Sequence, residues 1–126
     1  MAASIRVLFV DDQPEVRTLA SRWLAREGVE VALAETAEQA LEMLESALPD
    51  VVCLDRELPG MSGMTALKEM LKRYPSLRIM LVSGDDDEQT ARAARDAGAR
   101  VFLAKPFERV TLFAAVRATL GAGREE

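Results

Sequence analysis

The 126-residue sequence contains no histidine, which rules out imidazole acid–base catalysis and removes nearly every zinc site at a stroke. Its single cysteine, Cys53, lies inside the apolar stretch VVCL. A lone thiol in such a setting is a small core residue and builds no disulfide framework, which fits a reducing compartment, the cytoplasm. Aromatic residues make up only 5% of the chain, and Lys68, Lys72 and Lys105 are its only lysines. Positive charge is scarce overall: the net charge is −5, which argues against nucleic-acid binding through a basic surface. No apolar run approaches the roughly 20 residues of a membrane span, and Met1–Ser4 opens no secretory signal.

What is present is enough for one core. Hydrophobic residues are 49% of the chain and charged residues 29%, and the length suits a single domain over residues 1–121. Residues 122–126 read as a frayed tail or the start of a linker. Five short apolar runs, Ile5–Val10, Val29–Ala34, Val51–Leu54, Leu77–Val82 and Arg100–Ala104, alternate with amphipathic segments. The runs mostly lack polar alternation, as strands covered on both faces should.

The intervening segments carry helix signals. Pro14 suits a first turn, with Val16, Leu19, Trp23 and Leu24 turned inward and Gly28 as a stop. Thr36 followed by Gln39 is a capping-box signature for a second helix that ends before Pro49. Ser62 or Gly63 opens a third, running to Tyr74–Pro75, with Met64, Leu67, Met70 and Leu71 apolar. Asp87 begins a fourth that reaches Gly98. The fifth spans Glu108–Leu120 with Val110, Phe113, Ala114 and Val116 on its inner face. Five βα units in succession predict an α/β fold, a parallel sheet wound by helices on both sides.

In such a sheet, ligands bind outside the C-terminal strand ends. The residues at those ends are Asp11 and Asp12, Asp55, Ser83–Gly84, and Lys105–Pro106. Taken singly each has an ordinary explanation: Asp12 as a helix cap, Asp55 and Ser83 as turn residues, Lys105 as a solvated charge. Together they form a constellation of three acids, a hydroxyl and a lysine. Adjacent carboxylates at the end of a buried strand repel one another and need a counter-ion. Oxygen donors suit a hard cation, Mg²⁺ or Mn²⁺, and a lysine beside it suits a phosphate oxygen. The chemistry such a set supports is phosphoryl transfer to or from a carboxylate. Asp55, a lone acid on a central strand, is the expected nucleophile, and Asp11 and Asp12 the metal's acids.

The segments VLFVDDQPEVR, VVCLDRELPGMSGM, LVSG and GARVFLAKPF together resemble the receiver domain of two-component response regulators, from Ile5 to about Leu120. The resemblance implies a flavodoxin-like doubly wound sheet of five strands in the order 2-1-3-4-5 with five helices. It implies Asp55 as phosphoacceptor and Asp12 as direct metal ligand, with Asp11 acting through water and the backbone carbonyl of Glu57 as a further ligand. Lys105 would pair with the phosphoryl group, and the Lys105–Pro106 bond would be cis. Ser83 would be the switch hydroxyl and Phe102 the switch aromatic, with a plain core role for Phe102 equally open. The signal would repack helix four, strand five and helix five.

The implied partners are a sensor histidine kinase or histidine phosphotransfer protein as donor and a downstream output domain or protein, with no direct nucleic acid and no membrane. Such a chain is a switch that phosphorylates itself and slowly loses the group, not a turnover enzyme. No output segment follows Leu120, so a stand-alone receiver and a piece of a longer regulator both fit.

Two residues depart from the family's pattern. Arg56 replaces a commonly apolar residue after the phosphoacceptor position, and Glu57 adds an acid. Glu57 could reach the metal, repel the phosphoryl group, or point with Arg56 to solvent. The acidic run Asp85–Asp87 reads as a solvated helix start. Three other functions compete. An aspartyl-nucleophile phosphohydrolase usually has acids two apart on the first strand, which this chain lacks. A flavin carrier needs a phosphate-cradling loop unlike DDQPE. A receiver-like scaffold that never takes phosphate sits awkwardly with intact Asp12, Asp55 and Lys105.

Overall fold

The computed structural model describes residues 4–121, so the expectation for 122–126 falls outside the described residues. Strands β1 (Arg6–Val10), β2 (Glu30–Ala34), β3 (Val51–Asp55), β4 (Ile79–Ser83) and β5 (Val101–Ala104) alternate with helices α1 (Pro14–Arg26), α2 (Ala37–Ser46), α3 (Gly63–Arg73), α4 (Glu88–Asp96) and α5 (Arg109–Gly121). All strand pairs are parallel and the sheet order is β2-β1-β3-β4-β5, the doubly wound arrangement expected. Among the described residues no helix is long and apolar enough to cross a membrane.

The unalternating strands have a simple cause. Along β1, β3 and β4 successive side chains enter two different cores. Leu8, Val10, Val52, Leu54, Ile79 and Leu81 pack under α2, α3 and α4. Val7, Phe9, Val51, Cys53, Met80 and Val82 pack under α1 and α5. A period-2 strand with a core on each side has no polar face. At the β2 edge the rule relaxes: Glu30, Ala32 and Leu33 are exposed.

Helix starts follow the local chemistry. The Thr36 side chain accepts the Gln39 N–H at 3.0 Å, and Gln39 Oε1 in turn accepts the Glu35 N–H at 2.7 Å. Ser62 caps α3 through the Thr65 N–H at 3.2 Å, and Asp87 caps α4 through the Thr90 N–H at 2.7 Å. Helix α1 has Gln13 as its N-cap, without a side-chain bond, so the ordinary explanation of Asp12 as a helix cap falls away. Asp11 makes the turn instead, its Oδ1 accepting the Gln13 N–H at 2.9 Å.

Two inner faces need correction. On α1 the buried residues are Ala20 and Leu24, whereas Leu19 is 45% exposed and lines an apolar groove with Val16, Trp23, Pro106 and Phe107. On α5 the buried residues are Leu112, Val116 and Thr119, while Val110 is 69% exposed and Ala114 is also exposed. Helix α5 is apolar on most sides, so hydrophobic periodicity alone did not single out the face that docks.

Gly63 sets the distance between α3 and β3. Its N–H donates to the Arg56 carbonyl at 2.9 Å, and a Cβ built on it would lie 2.1 Å from the Asp55 carbonyl oxygen and 2.6 Å from the Arg56 Cα. Both neighbours are backbone and cannot yield as a side-chain tip would. Gly63→Ala is therefore expected to destabilise the fold by about 1–3 kcal/mol and to displace the end of β3. Urea unfolding measures the first effect, and the backbone amide shifts of Asp55–Glu57 report the second.

Candidate phosphoryl and metal site

The C-terminal strand ends place Asp11, Asp55, Ser83 and Lys105 at one edge of the sheet. Asp11 is 1% exposed, Asp55 3% and Ser83 fully buried, while Asp12 remains exposed. Asp11, Asp12 and Asp55 each bring a carboxylate oxygen to within 4.8 Å of the others. The Lys105 ammonium bridges the buried pair, 2.9 Å from Asp11 Oδ2 and 3.1 Å from Asp55 Oδ2, and donates to Gln13 Oε1 at 3.4 Å. The Lys105–Pro106 bond that precedes α5 is cis.

These contacts explain the site's proton affinities. Burial, then the Asp11 charge, push the Asp55 carboxyl up to about 6, against the pull of Lys105 and the Glu57 N–H that donates to Asp55 Oδ1 at 3.1 Å. Burial alone would weaken the Lys105 ammonium, but its bonds and charge contacts with Asp11 and Asp55 outweigh that and hold it above its ordinary range. Cys53, at the midpoint of β3, is buried and its thiol is pushed up by desolvation, so it is no nucleophile.

Two buried carboxylates, Asp11 and Asp55, and the exposed Asp12 supply the hard oxygen donors a divalent cation such as Mg²⁺ takes. Asp11, Asp12 and Asp55 would hold it. The Glu57 carboxylate faces elsewhere: its Oε2 accepts the Ser83 hydroxyl at 2.9 Å and its Oε1 the Gly84 N–H at 3.3 Å. Burial raises the Glu57 carboxyl, but the Ser83, Gly84 and Arg56 contacts together bring it below its usual range. Arg56 joins Glu57 and reaches Asp85 Oδ2 at 3.1 Å. Neither residue points freely into solvent.

Phe102 is partly buried on β5, packed with the α2–α4 core that includes Ala94 and Ala99. Sequence reasoning missed Gln13 and Arg17. The Arg17 Nη1 donates to the Asp11 carbonyl at 2.7 Å, and its Nη2 lies 3.8 Å from Glu35 Oε2, so α1 is tied to the β1 and β2 ends. The spacing from Asp11 to Arg17 offered a weak signal, because nothing local says that an α1 arginine folds back over its own loop.

The raised Asp55 carboxyl has a consequence for stability. Between its ordinary 3.8 and about 6, folded Asp55 holds a proton that the unfolded chain has lost. Stability contributed by this group therefore falls as pH rises through that window. In metal-free buffer Asp55→Asn is expected to gain on the order of 1–2 kcal/mol over the native chain between pH 4 and pH 7, allowing for solvent screening at the open edge. Thermal unfolding at both pH values, with chelator present, measures the change.

Known proteins are similar to this chain in sequence and fold. The family model for the response regulator receiver domain matches residues 7–117. The chain is 36% identical over 116 residues to the chemotaxis protein CheY of Bacillus subtilis, covering 91% of this chain and 97% of that one. It is 34% identical over 116 residues to the transcriptional activator protein ExaE of Pseudomonas putida, covering 90% of this chain but 54% of ExaE, so the chain spans about half the length of that relative. Among solved structures, the receiver domain of NtrX from Brucella abortus superposes with a TM-score of 0.85 at 34% identity, covering 90% of this chain and 97% of that one. The match extends over nearly the whole sheet and all five strand ends, and the chain belongs to the response regulator receiver domain family.

Proposed function

We propose that this chain is a phosphoryl-accepting signalling switch in which Asp55 takes the group from a phosphohistidine donor. The observation that carries the reading is the placement of Asp55: buried at the end of β3, bonded to Lys105 Nζ at 3.1 Å, with oxygens of Asp11 and Asp12 close enough to share one cation.

The residues divide the work. An Asp55 oxygen attacks phosphorus in line as the bond from phosphorus to the donor's imidazole nitrogen breaks, and that nitrogen leaves with the electron pair. The attack needs Asp55 ionised, which its pKa of about 6 allows near neutral pH. The Glu57 N–H fixes the carboxylate's orientation through Oδ1, and the Lys105 ammonium sits where a phosphoryl oxygen would gather charge. Bound Mg²⁺ or Mn²⁺ would neutralise the acid cluster and the phosphoryl oxygens. Ser83 supplies the switch hydroxyl, and Phe102 supplies the aromatic that repacks the α4–β5–α5 surface.

The donor in this reading is a sensor histidine kinase or a histidine phosphotransfer protein, and the output is a downstream domain or protein. A cytoplasmic location accompanies it. The chain draws the group onto itself and slowly loses it, without turnover of a substrate.

Incubation with acetyl phosphate and Mg²⁺ is expected to give a single phosphoryl adduct by intact mass spectrometry, absent with chelator and absent from Asp55→Asn. Labelling of that variant at the native rate would move the acceptor elsewhere. Asp12→Ala is expected to weaken Mg²⁺ binding by roughly tenfold or more, read by calorimetry, with the fold intact by circular dichroism.

A further inference from the structure

The loops after β3 and β4 are tied together by a small network centred on one proton. Ser83 is fully buried, and its hydroxyl donates to Glu57 Oε2 at 2.9 Å. The same oxygen of Ser83 accepts the Asp85 N–H at 3.0 Å and lies 3.4 Å from Arg56 Nη1. The second Glu57 oxygen accepts the Gly84 N–H at 3.3 Å. Arg56 then bridges Glu57 and Asp85, placing one guanidinium between two carboxylates that belong to different loops.

A serine hydroxyl has a single proton to give. While Glu57 holds it, Ser83 cannot donate to an oxygen carried by Asp55. The charged acceptor makes the bond stronger than one between neutral groups. Arg56 keeps the acceptor in place, since a half-exposed glutamate would otherwise be free to turn into water.

We propose that Glu57, clamped by Arg56 and Asp85, is a positioning residue that holds the Ser83 hydroxyl off the Asp55 site, so that capture of a phosphoryl group requires the Ser83–Glu57 bond to break. The proposal rests on Asp55 as the phosphoryl site and goes beyond it by making the closed latch and the occupied site mutually exclusive. Opening the latch also frees Arg56 and Glu57 at the mouth of the cleft they line with Ser62, Met64, Gln89 and Thr90, between α3 and α4. The state of Asp55 thereby bears on where the charges of Arg56 and Glu57 are held in that cleft.

The test is a double-mutant cycle. Beryllofluoride, a phosphoryl mimic, is titrated with Mg²⁺ into the native chain, Glu57→Ala, Ser83→Ala and the double variant, and its affinity is read by calorimetry. Removing the competing acceptor is expected to tighten binding about tenfold when Ser83 is present, the worth of one charge-assisted bond, and by a clearly smaller factor when it is absent. An equal gain in both backgrounds would mean that Glu57 merely repels the anion, and the latch would be discarded. No binding by any of the four would instead overturn Asp55 as the phosphoryl site. A second readout needs no anion: in the free protein Glu57→Ala is expected to speed amide exchange at Gly84 and Asp85 several-fold, and unchanged rates would also overturn the latch.

Discussion

The structure is organised around two carboxylates that should not share a buried edge, Asp11 and Asp55, and the one ammonium that lets them. Lys105 lies within 3.1 Å of both, reaching from the end of β5 across β4's loop to β1 and β3. Removing that ammonium would leave two buried carboxylates uncompensated, which costs several kcal/mol. Burial first, and then the repulsion from Asp11, raise the carboxyl of Asp55. A carboxylate in that condition gains from nearby positive charge, which is how the packing bears on the proposed function.

Everything nearby serves to keep that edge in register. Gly63 lets α3 come against the β3 backbone, Arg17 staples α1 to the Asp11 carbonyl, and Asp11 itself takes the Gln13 N–H. The two apolar cores on either face of the sheet hold the strands rigidly, so the loops that carry the chemistry are short extensions of a stiff platform. Rigid strands with polar ends allow small changes in the loops without loss of the fold. The Arg56–Glu57–Ser83–Asp85 network lies in those loops, where a rearranged hydrogen bond costs little elsewhere.

Much of this was legible in the sequence. Uninterrupted apolar strands, capping residues at Thr36, Ser62 and Asp87, and an acid, hydroxyl or lysine after four of the five strands gave the fold class and the members of the site. Where the reading slipped, the cause was physical. Leu19, Val110 and Ala114 fit a helical stripe, but hydrophobicity does not record which of several apolar faces a helix docks with. The cap explanation open to Asp12 fails because the N-cap is Gln13 and it is Asp11 that takes the Gln13 N–H.

The sequence by itself determined the alternation of strands and helices and the identity of the groups at the strand ends, because both are consequences of local pattern. Only the tertiary structure decided what those groups do to one another. Arg56 and Glu57 read as two loop charges with several destinations; the fold brings β4's Ser83 and Asp85 against them and makes a closed network. Lys105 read as a strand-end lysine suited to a phosphate oxygen; the sheet carries it 50 residues back along the chain to bond Asp55 itself. Hydrogen bonds and charge pairs depend on distances of a few ångströms between segments far apart in sequence, and those distances exist only once the sheet has closed.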